Sequence, residues 1–203
     1  MRRAFDAYPT TAAGAVLGLL NESPVTFGGS VFECCSGKHH ITNVLRESGT
    51  FDRVWTNDVQ PSLEADFHED ARDERVWREV FPEVDWIVTN PTFAGALPIV
   101  KHARKYARVG IAFYLRISFW EPTIKGHDPS KHRGPFLRDF PPNGFLPMSR
   151  ISHTEDGSTD SATCAWFVWH RPMPGVPEQW HRVLILEDPE SELERSQQSS
   201  LFE

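Results

Sequence analysis

The sequence predicts an α/β fold: a mainly parallel central sheet covered by helices, with an antiparallel hairpin towards the C-terminus. Two observations predict it. In the first half, short apolar runs of the buried-strand type alternate with segments whose apolar residues recur at helical spacing, the pattern of βαβ units. In the second half, residues 145–153 and 163–170 are strand-like and flank the turn-rich Glu155-Asp156-Gly157-Ser158.

The elements follow in order. Residues 11–20, rich in alanine and leucine, read as a helix that Thr10 or Thr11 can cap. Gly28-Gly29 break the pattern, and Val31-Phe32-Glu33 forms a strand running into the turn Cys35-Ser36-Gly37. Ile41, Val44 and Leu45 then recur at helical spacing. A second strand over 51–56 ends at Asn57-Asp58, and residues 66–70 are either a short third strand or a loop. A helix over 76–81 is closed by Pro82, and the apolar strand 85–89 stops at Asn90-Pro91. A helix over 94–106 and a long strand over 109–118 complete the regular half. Residues 121–143 are proline-rich without periodicity and read as a long loop, and 183–186 add a last strand.

At 203 residues and 39% hydrophobic content, the chain can bury one substantial core but is short for two full domains. Residues 1–188 are therefore expected to form one domain, with a substrate-facing loop at about 120–145, and 189–203 a polar tail that frays. No apolar run approaches the roughly 20 residues of a membrane span, and the N-terminus lacks a signal-peptide core, so a cytoplasmic protein without membrane association is expected. Monomer and small homo-oligomer both remain open.

Cys34 and Cys35 are adjacent and Cys164 is remote, which fits neither a disulfide framework nor zinc spacing. They read as small, reduced core residues. The pair His39-His40 has no second cluster to support it, so no metal is expected. A net charge of −7 argues against a nonspecific nucleic-acid coat protein. Yet Lys101, Arg104, Lys105, Arg108, Arg116, Lys125, Lys131, Arg133 and Arg138 meet only Glu121 and Asp128 within their stretch. That is either a basic face able to engage a phosphate backbone or a solvated helix and loop.

In open α/β sheets, ligands bind beyond the carboxyl ends of the strands, which directs attention to the residues there. The first turn, ECCSGK, has one glycine and lacks the three-glycine dinucleotide pattern. Asp58 ends the second strand and offers two acceptor oxygens that suit ribose hydroxyls, or serves as a cap or turn acid. Asn90-Pro91-Thr92-Phe93 is the most informative stretch. Asn90 can cap the following helix, with Pro91 at its first position. Alternatively, the Asn90 side-chain oxygen and the Pro91 carbonyl form two rigid acceptors that grip an NH₂ group, with Phe93 offering a face for a base.

Taken together, these residues resemble the class I DNA adenine amino-methyltransferases, especially the small phage and prophage type, which carry a (D/N/S)PP(Y/F) motif after the fourth strand. Here the corresponding stretch is DWIVTNPTF. Tyr8-Pro9-Thr10 resembles the element that closes over the methionine end of the cofactor, and Phe32 through Gly37, including Glu33, Cys34 and Ser36, resembles the glycine motif that cradles it. Asn57-Asp58 matches the ribose-binding acid, and Asp70-Ala71 the acidic element near the cofactor adenine, with Asp66 as a substitute. Leu115-Arg116 with Ser118-Phe119, and the later stretch from Asp156 to Trp169, are similar to elements of the same proteins. Two departures stand out: Thr92 replaces the usual second proline, and Lys38-His39 stand where an acidic residue and another glycine are frequent.

The resemblance implies a Rossmann-like class I methyltransferase fold, S-adenosylmethionine as cofactor and DNA as partner. It implies transfer to an adenine amine by Asn90, Pro91, Thr92 and Phe93, with Arg116, Phe119, Trp120, Lys125, Lys131 and Arg133 on the substrate side. Target recognition is then expected from residues 121–143 and the hairpin. Related chemistry serves cytosine amines, RNA and the side-chain amide of protein glutamine, so those substrates stay open. A degenerate copy that binds DNA without transferring methyl is a further alternative.

Overall fold

The computed structural model describes residues 13–121, 132–148 and 163–184. Its elements are α1 (Ala13–Glu22), β1 (Ser30–Glu33), α2 (His40–Glu47), β2 (Arg53–Thr56), α3 (Glu74–Glu79), β3 (Trp86–Thr89), α4 (Ala96–Tyr106), β4 (Gly110–Arg116), a 3₁₀ turn (Ile117–Trp120), α5 (Arg133–Asp139), β5 (Gly144–Pro147), β6 (Cys164–His170) and β7 (Trp180–His181).

These strands build one seven-stranded sheet in the order β2-β1-β3-β4-β6-β5-β7. β2, β1, β3 and β4 run parallel. β6 is antiparallel to both β4 and β5, and β7 lies parallel to β5. The expected mainly parallel sheet with an antiparallel C-terminal part is what the chain forms. The short third strand shrinks to one parallel bridge between Asn57 and Phe67. It is reinforced by Asp66, whose carboxylate accepts from the Thr56 amide at 2.8 Å and the Thr56 hydroxyl at 2.9 Å.

Period-two alternation divides the core between the two faces of the sheet. Val31, Trp86, Val88, Ala112, Tyr114, Trp166 and Val168 pack under α1 and α2. Phe32, Ile87, Ile111, Phe113, Leu115, Phe167 and Trp169 pack under α3, α4 and α5. The buried Trp166 indole donates to the Ala15 carbonyl at 2.9 Å, tying α1 to β6 while satisfying its own polar atom. With helices on both faces, loops leaving neighbouring strands diverge where the strand order reverses, between β1 and β3.

Four expectations shift. α3 begins two residues earlier than expected, because the Asp73 side chain caps it by accepting from the Arg75 amide. β4 gives way to the 3₁₀ turn after Arg116. The stretch 121–143 contains α5, which its proline and glycine disguised; Pro135 sits in the first turn, where a missing N–H costs nothing, and Phe136 is buried. The last strand among the described residues is β7, and of the expected strand over 183–186 only 183–184 are described, with Leu184 bridging to Met148. Among the described residues, no helix is long and apolar enough to cross a membrane.

Candidate active site

β1 delivers Glu33 to the carboxyl edge of the sheet, where the next residues turn sharply. Ser36 donates its amide to the Asn57 carbonyl at 2.9 Å, and Gly37 takes φ 51°. That left-handed angle is the reason for a glycine here, since a Cβ would meet no atom within 4 Å. The Gly37 amide donates to Asp58 Oδ2 at 2.8 Å, and the Gln60 amide to Oδ1 at 2.9 Å. Asp58 is thus fixed against the turn it faces across the β1–β2 edge, and each oxygen keeps a second lone pair. His39, where the resembled family often has glycine, adopts φ 64° all the same. Its Nε2 lies 2.6 Å from the Glu64 carbonyl oxygen.

Asn57 holds this region together. Its Nδ2 donates to the carbonyls of Cys34 at 2.9 Å and Glu69 at 3.0 Å, and its Oδ1 accepts the Glu69 amide at 2.9 Å. The residue is buried, so these bonds are made away from solvent competition. In the sequence Asn57 is only the neighbour of Asp58; a buried carboxamide looks like any turn asparagine until its partners are known.

Burial sets the electrostatics. Desolvation pushes the Glu33 carboxyl up to about 8, even though the Thr42 hydroxyl and amide donate to it and Arg46 lies nearby; the Asp58 charge adds to the rise. Asp70 moves the other way, held below the ordinary carboxylate range by Arg72, which chelates both oxygens at 2.6–3.1 Å. The aliphatic part of Arg72 lies against Gly95, where a Cβ would meet Arg72 Cδ at 3.4 Å and Thr92 Oγ1 at 3.3 Å. The Asp70 element is thereby packed against the loop after β3. Ala71 is buried, and its carbonyl accepts the Trp77 indole at 2.7 Å.

The structure separates Asn90 from the helix that follows it. α4 starts at Ala96 with Gly95 as its N-cap, so Asn90 does not cap that helix. Asn90 directly follows Thr89, the last residue of β3, which pairs with the strand leading into the glycine turn. Pro91 is buried, Thr92 is exposed and Phe93 is half-buried against the core. The Arg116 guanidinium, from the end of β4, lies 4.5 Å from the Phe93 ring centroid. Next along the same edge, the exposed Trp120 stacks on Phe167 at 6.0 Å, and Arg133 reaches within 3.8 Å of Glu121.

Some expected site residues stand elsewhere. The Cys34 side chain is buried in the core, so only its backbone lines the turn. Phe119 is buried on Phe167 at 5.7 Å and anchors the 3₁₀ turn. The basic residues from 104 to 108 do not extend this edge: Lys105 pairs with Glu74, Arg108 with Asp85 at 3.0 Å, and Arg104 stacks 3.9 Å from the Phe140 centroid at the opposite end of the sheet, while Lys101 lies 5.9 Å from the Phe136 centroid. Tyr8, Thr10, Lys125, Lys131 and Asp156-Gly157-Ser158 lie outside the described residues.

The remaining groups suit a nucleoside bearing an amino-acid chain. Ser36 Oγ is buried with no hydrogen-bond partner, an orphan beside the one left-handed glycine of the turn. Asp58 presents a carboxylate beside it, and the turn backbone leaves open space at Gly37.

No protein-family model matches the sequence, and no curated protein does. Among solved structures, the chain is similar to the methyltransferase subunit of a type I restriction-modification system from Streptococcus thermophilus, with TM-score 0.55 and 12% identity over 85% of this chain and 46% of that one. It is also similar to the modification subunit of a candidate type I restriction enzyme from Vibrio vulnificus, with TM-score 0.52 and 11% identity over 97% and 54%. A candidate hemolysin from Lactococcus lactis gives TM-score 0.55 and 13% identity over 95% and 100%. The chain spans about half the length of the two restriction-modification subunits. At such identities the likeness establishes the architecture alone, a Rossmann-like α/β fold that these methyltransferase subunits also have.

Proposed function

We propose that this chain is an S-adenosylmethionine-dependent methyltransferase acting on an exocyclic nucleobase amine, with adenine in DNA as the first candidate. The observation that carries the reading is the placement of Asn90. It is released from helix capping and set at the end of β3, beside the strand whose turn bears Glu33, Ser36 and Gly37. Donor and acceptor groups therefore stand at the ends of adjacent strands.

In this reading, Asp58 accepts the ribose hydroxyls, the turn from Glu33 to Gly37 receives the methionine end, and the Asp70-Ala71 element borders the adenine. When bound, S-adenosylmethionine supplies an electrophilic methyl group. The chain's own contribution is orientation. The Asn90 side-chain oxygen and the Pro91 carbonyl accept both hydrogens of the target amine, which turns its lone pair out of conjugation and towards the methyl. Phe93 supports the flipped base from one side. Arg116, Trp120 and Arg133 line the approach, where cations and an exposed indole suit a phosphate backbone and a neighbouring base. Type I restriction-modification subunits have the same architecture, which fits a methyltransferase but does not choose among DNA, RNA and protein as the acceptor; DNA is put first on the placement of Arg116, Trp120 and Arg133.

The test is transfer of labelled methyl from S-adenosylmethionine into separated DNA, RNA and protein fractions. Label in DNA adenine supports the proposal. Label only in RNA or protein overturns the acceptor, and DNA retention without any transfer identifies a non-catalytic binding module.

A further inference from the structure

A cleft of about 640 Å³ opens at the opposite end of the sheet from Asn90. Its floor is Gly110 and Ile111 at the start of β4 with Trp169 and His170 at the end of β6. β4 runs seven residues from Gly110 to Arg116, so at roughly 3.3 Å per residue the cleft lies about 20 Å from the Arg116 edge. Gly110 keeps the floor low: a Cβ there would lie 2.6 Å from the Trp86 ring and 2.7 Å from the Trp169 carbonyl.

Two guanidiniums border the cleft, and neither makes an ion pair with a carboxylate among the described residues. Arg104, in the last turn of α4, is held by its stacking on Phe140 at 3.9 Å. Arg171 follows β6 and is held by a neutral acceptor, its Nε donating to the Arg108 carbonyl at 2.6 Å. Arg104 and Arg171 line the same cleft, and burial together with the Arg171 charge holds the Arg104 guanidinium below its ordinary range. The acids of the lining do not relieve them: Asp139 is bound to Arg138 at 2.8 Å, and Glu178 is an exposed rim residue. Lys105, also on the wall, is already paired with Glu74. Both arginines are thus fixed by neutral groups while most of their donors remain unspent, the arrangement that bidentate oxyanion binding requires.

Size and lining narrow the ligand. The volume falls in the range of roughly 300–1,000 Å³ typical of small-molecule sites and is far larger than a bare inorganic anion needs. Met173 and Val176 add an apolar side to the charged one. We infer that this cleft binds an organic phosphate of nucleotide size, its phosphate held between Arg104 and Arg171, at a site separate from the one proposed for methyl transfer. The same chemistry is offered by a free nucleotide and by one nucleotide unit of a strand lying across this end of the sheet.

The experiment uses the full chain with ¹⁵N-labelled tryptophan. The Trp169 indole donates to the Phe140 carbonyl at 3.0 Å on the cleft wall and reports on its occupancy. Adenosine 5′-monophosphate, inorganic phosphate and a short single-stranded oligonucleotide are titrated in turn. Saturable movement of the Trp169 indole signal by the mononucleotide is expected, with affinity about tenfold weaker in Arg104→Gln. Arg171→Lys, which retains the charge but not the fork, should weaken it as well, and a native-like melting temperature for either variant keeps the comparison sound. The same dependence for the oligonucleotide alone assigns the phosphate to a strand and supports the site equally. The inference is overturned if neither nucleotide ligand moves the Trp169 signal, if inorganic phosphate binds as tightly as the mononucleotide, or if both arginine variants bind like the parent.

Discussion

The guanidinium carbon of Arg116 lies 4.5 Å from the centroid of the Phe93 ring, so the aromatic face proposed for the target base already carries a cation. A base arriving there must slide over or displace it. Phe93→Ala removes the face altogether, and base–aromatic stacking of about 1–3 kcal/mol then corresponds to a KM for nucleic acid raised about fivefold to 150-fold. Cofactor affinity should not change. Methyl-transfer kinetics measure the first and calorimetry the second; an unaltered KM would remove Phe93 from the base pocket.

Asn90→Ala leaves β3 and α4 intact, because Asn90 belongs to neither and the N-cap of α4 is Gly95. Turnover should fall by at least about a hundredfold, the scale seen when one preorganised polar group is lost from a transition state. Single-turnover transfer assays and cofactor titration on the same preparation separate catalysis from binding. Parental turnover in this variant would refute the role given to Asn90.

Asp58 is asked to do two things, and two substitutions separate them. Asp58→Asn keeps an oxygen for one of the amides of Gly37 and Gln60 but loses the charge, so cofactor affinity should drop about tenfold with a small change in melting temperature. Asp58→Ala strands both amides and should in addition lower stability by about 1–3 kcal/mol, read from urea unfolding. If cofactor affinity survived both changes, the ribose would have to sit elsewhere.

Glu33 imposes a pH dependence on stability. Its buried carboxyl stays protonated up to about 8 in the fold but ionises near 4.5 in the unfolded chain. Between those values the folded state holds one proton more, so stability falls as pH rises, by about 1.4 kcal/mol per pH unit from this group. Below the window the penalty is absent, and above it the penalty is complete. Glu33→Gln should remove that slope, measured as the difference between urea midpoints of the two proteins from pH 5 to 8. Parallel curves would mean that Glu33 is already ionised in the native state.

Most of the sheet was legible in the sequence because buried strands leave apolar runs: DWIVT and VGIAFYL are β3 and β4 nearly as read. The helix α5 was not, because Gly134 and Pro135 lower helix propensity while the burial of Phe136 that offsets them is a tertiary effect. Asn90 was legible as a strand-end residue, but an Asn-Pro pair suits a helix cap as well as an acceptor, and the start of α4 at Ala96 removes only the first of these. Phe119 and Cys34 look like site residues by position, yet side-chain direction, which spacing alone does not give, turns both into the core. The cleft had no sequence signature, since Arg104, Phe140 and the stretch from Trp169 to Arg171 come from three separate segments and meet only through the sheet order.

Asn57 gives the edge at the end of β1 and β2 a mechanical unity. One carboxamide joins the backbone after β1, the end of β2 and the backbone at Glu69, so none of these segments can swing out without breaking bonds to the others. Their amides should therefore exchange with deuterium through a shared opening event, and Asn57→Ala should split that event into faster, independent ones.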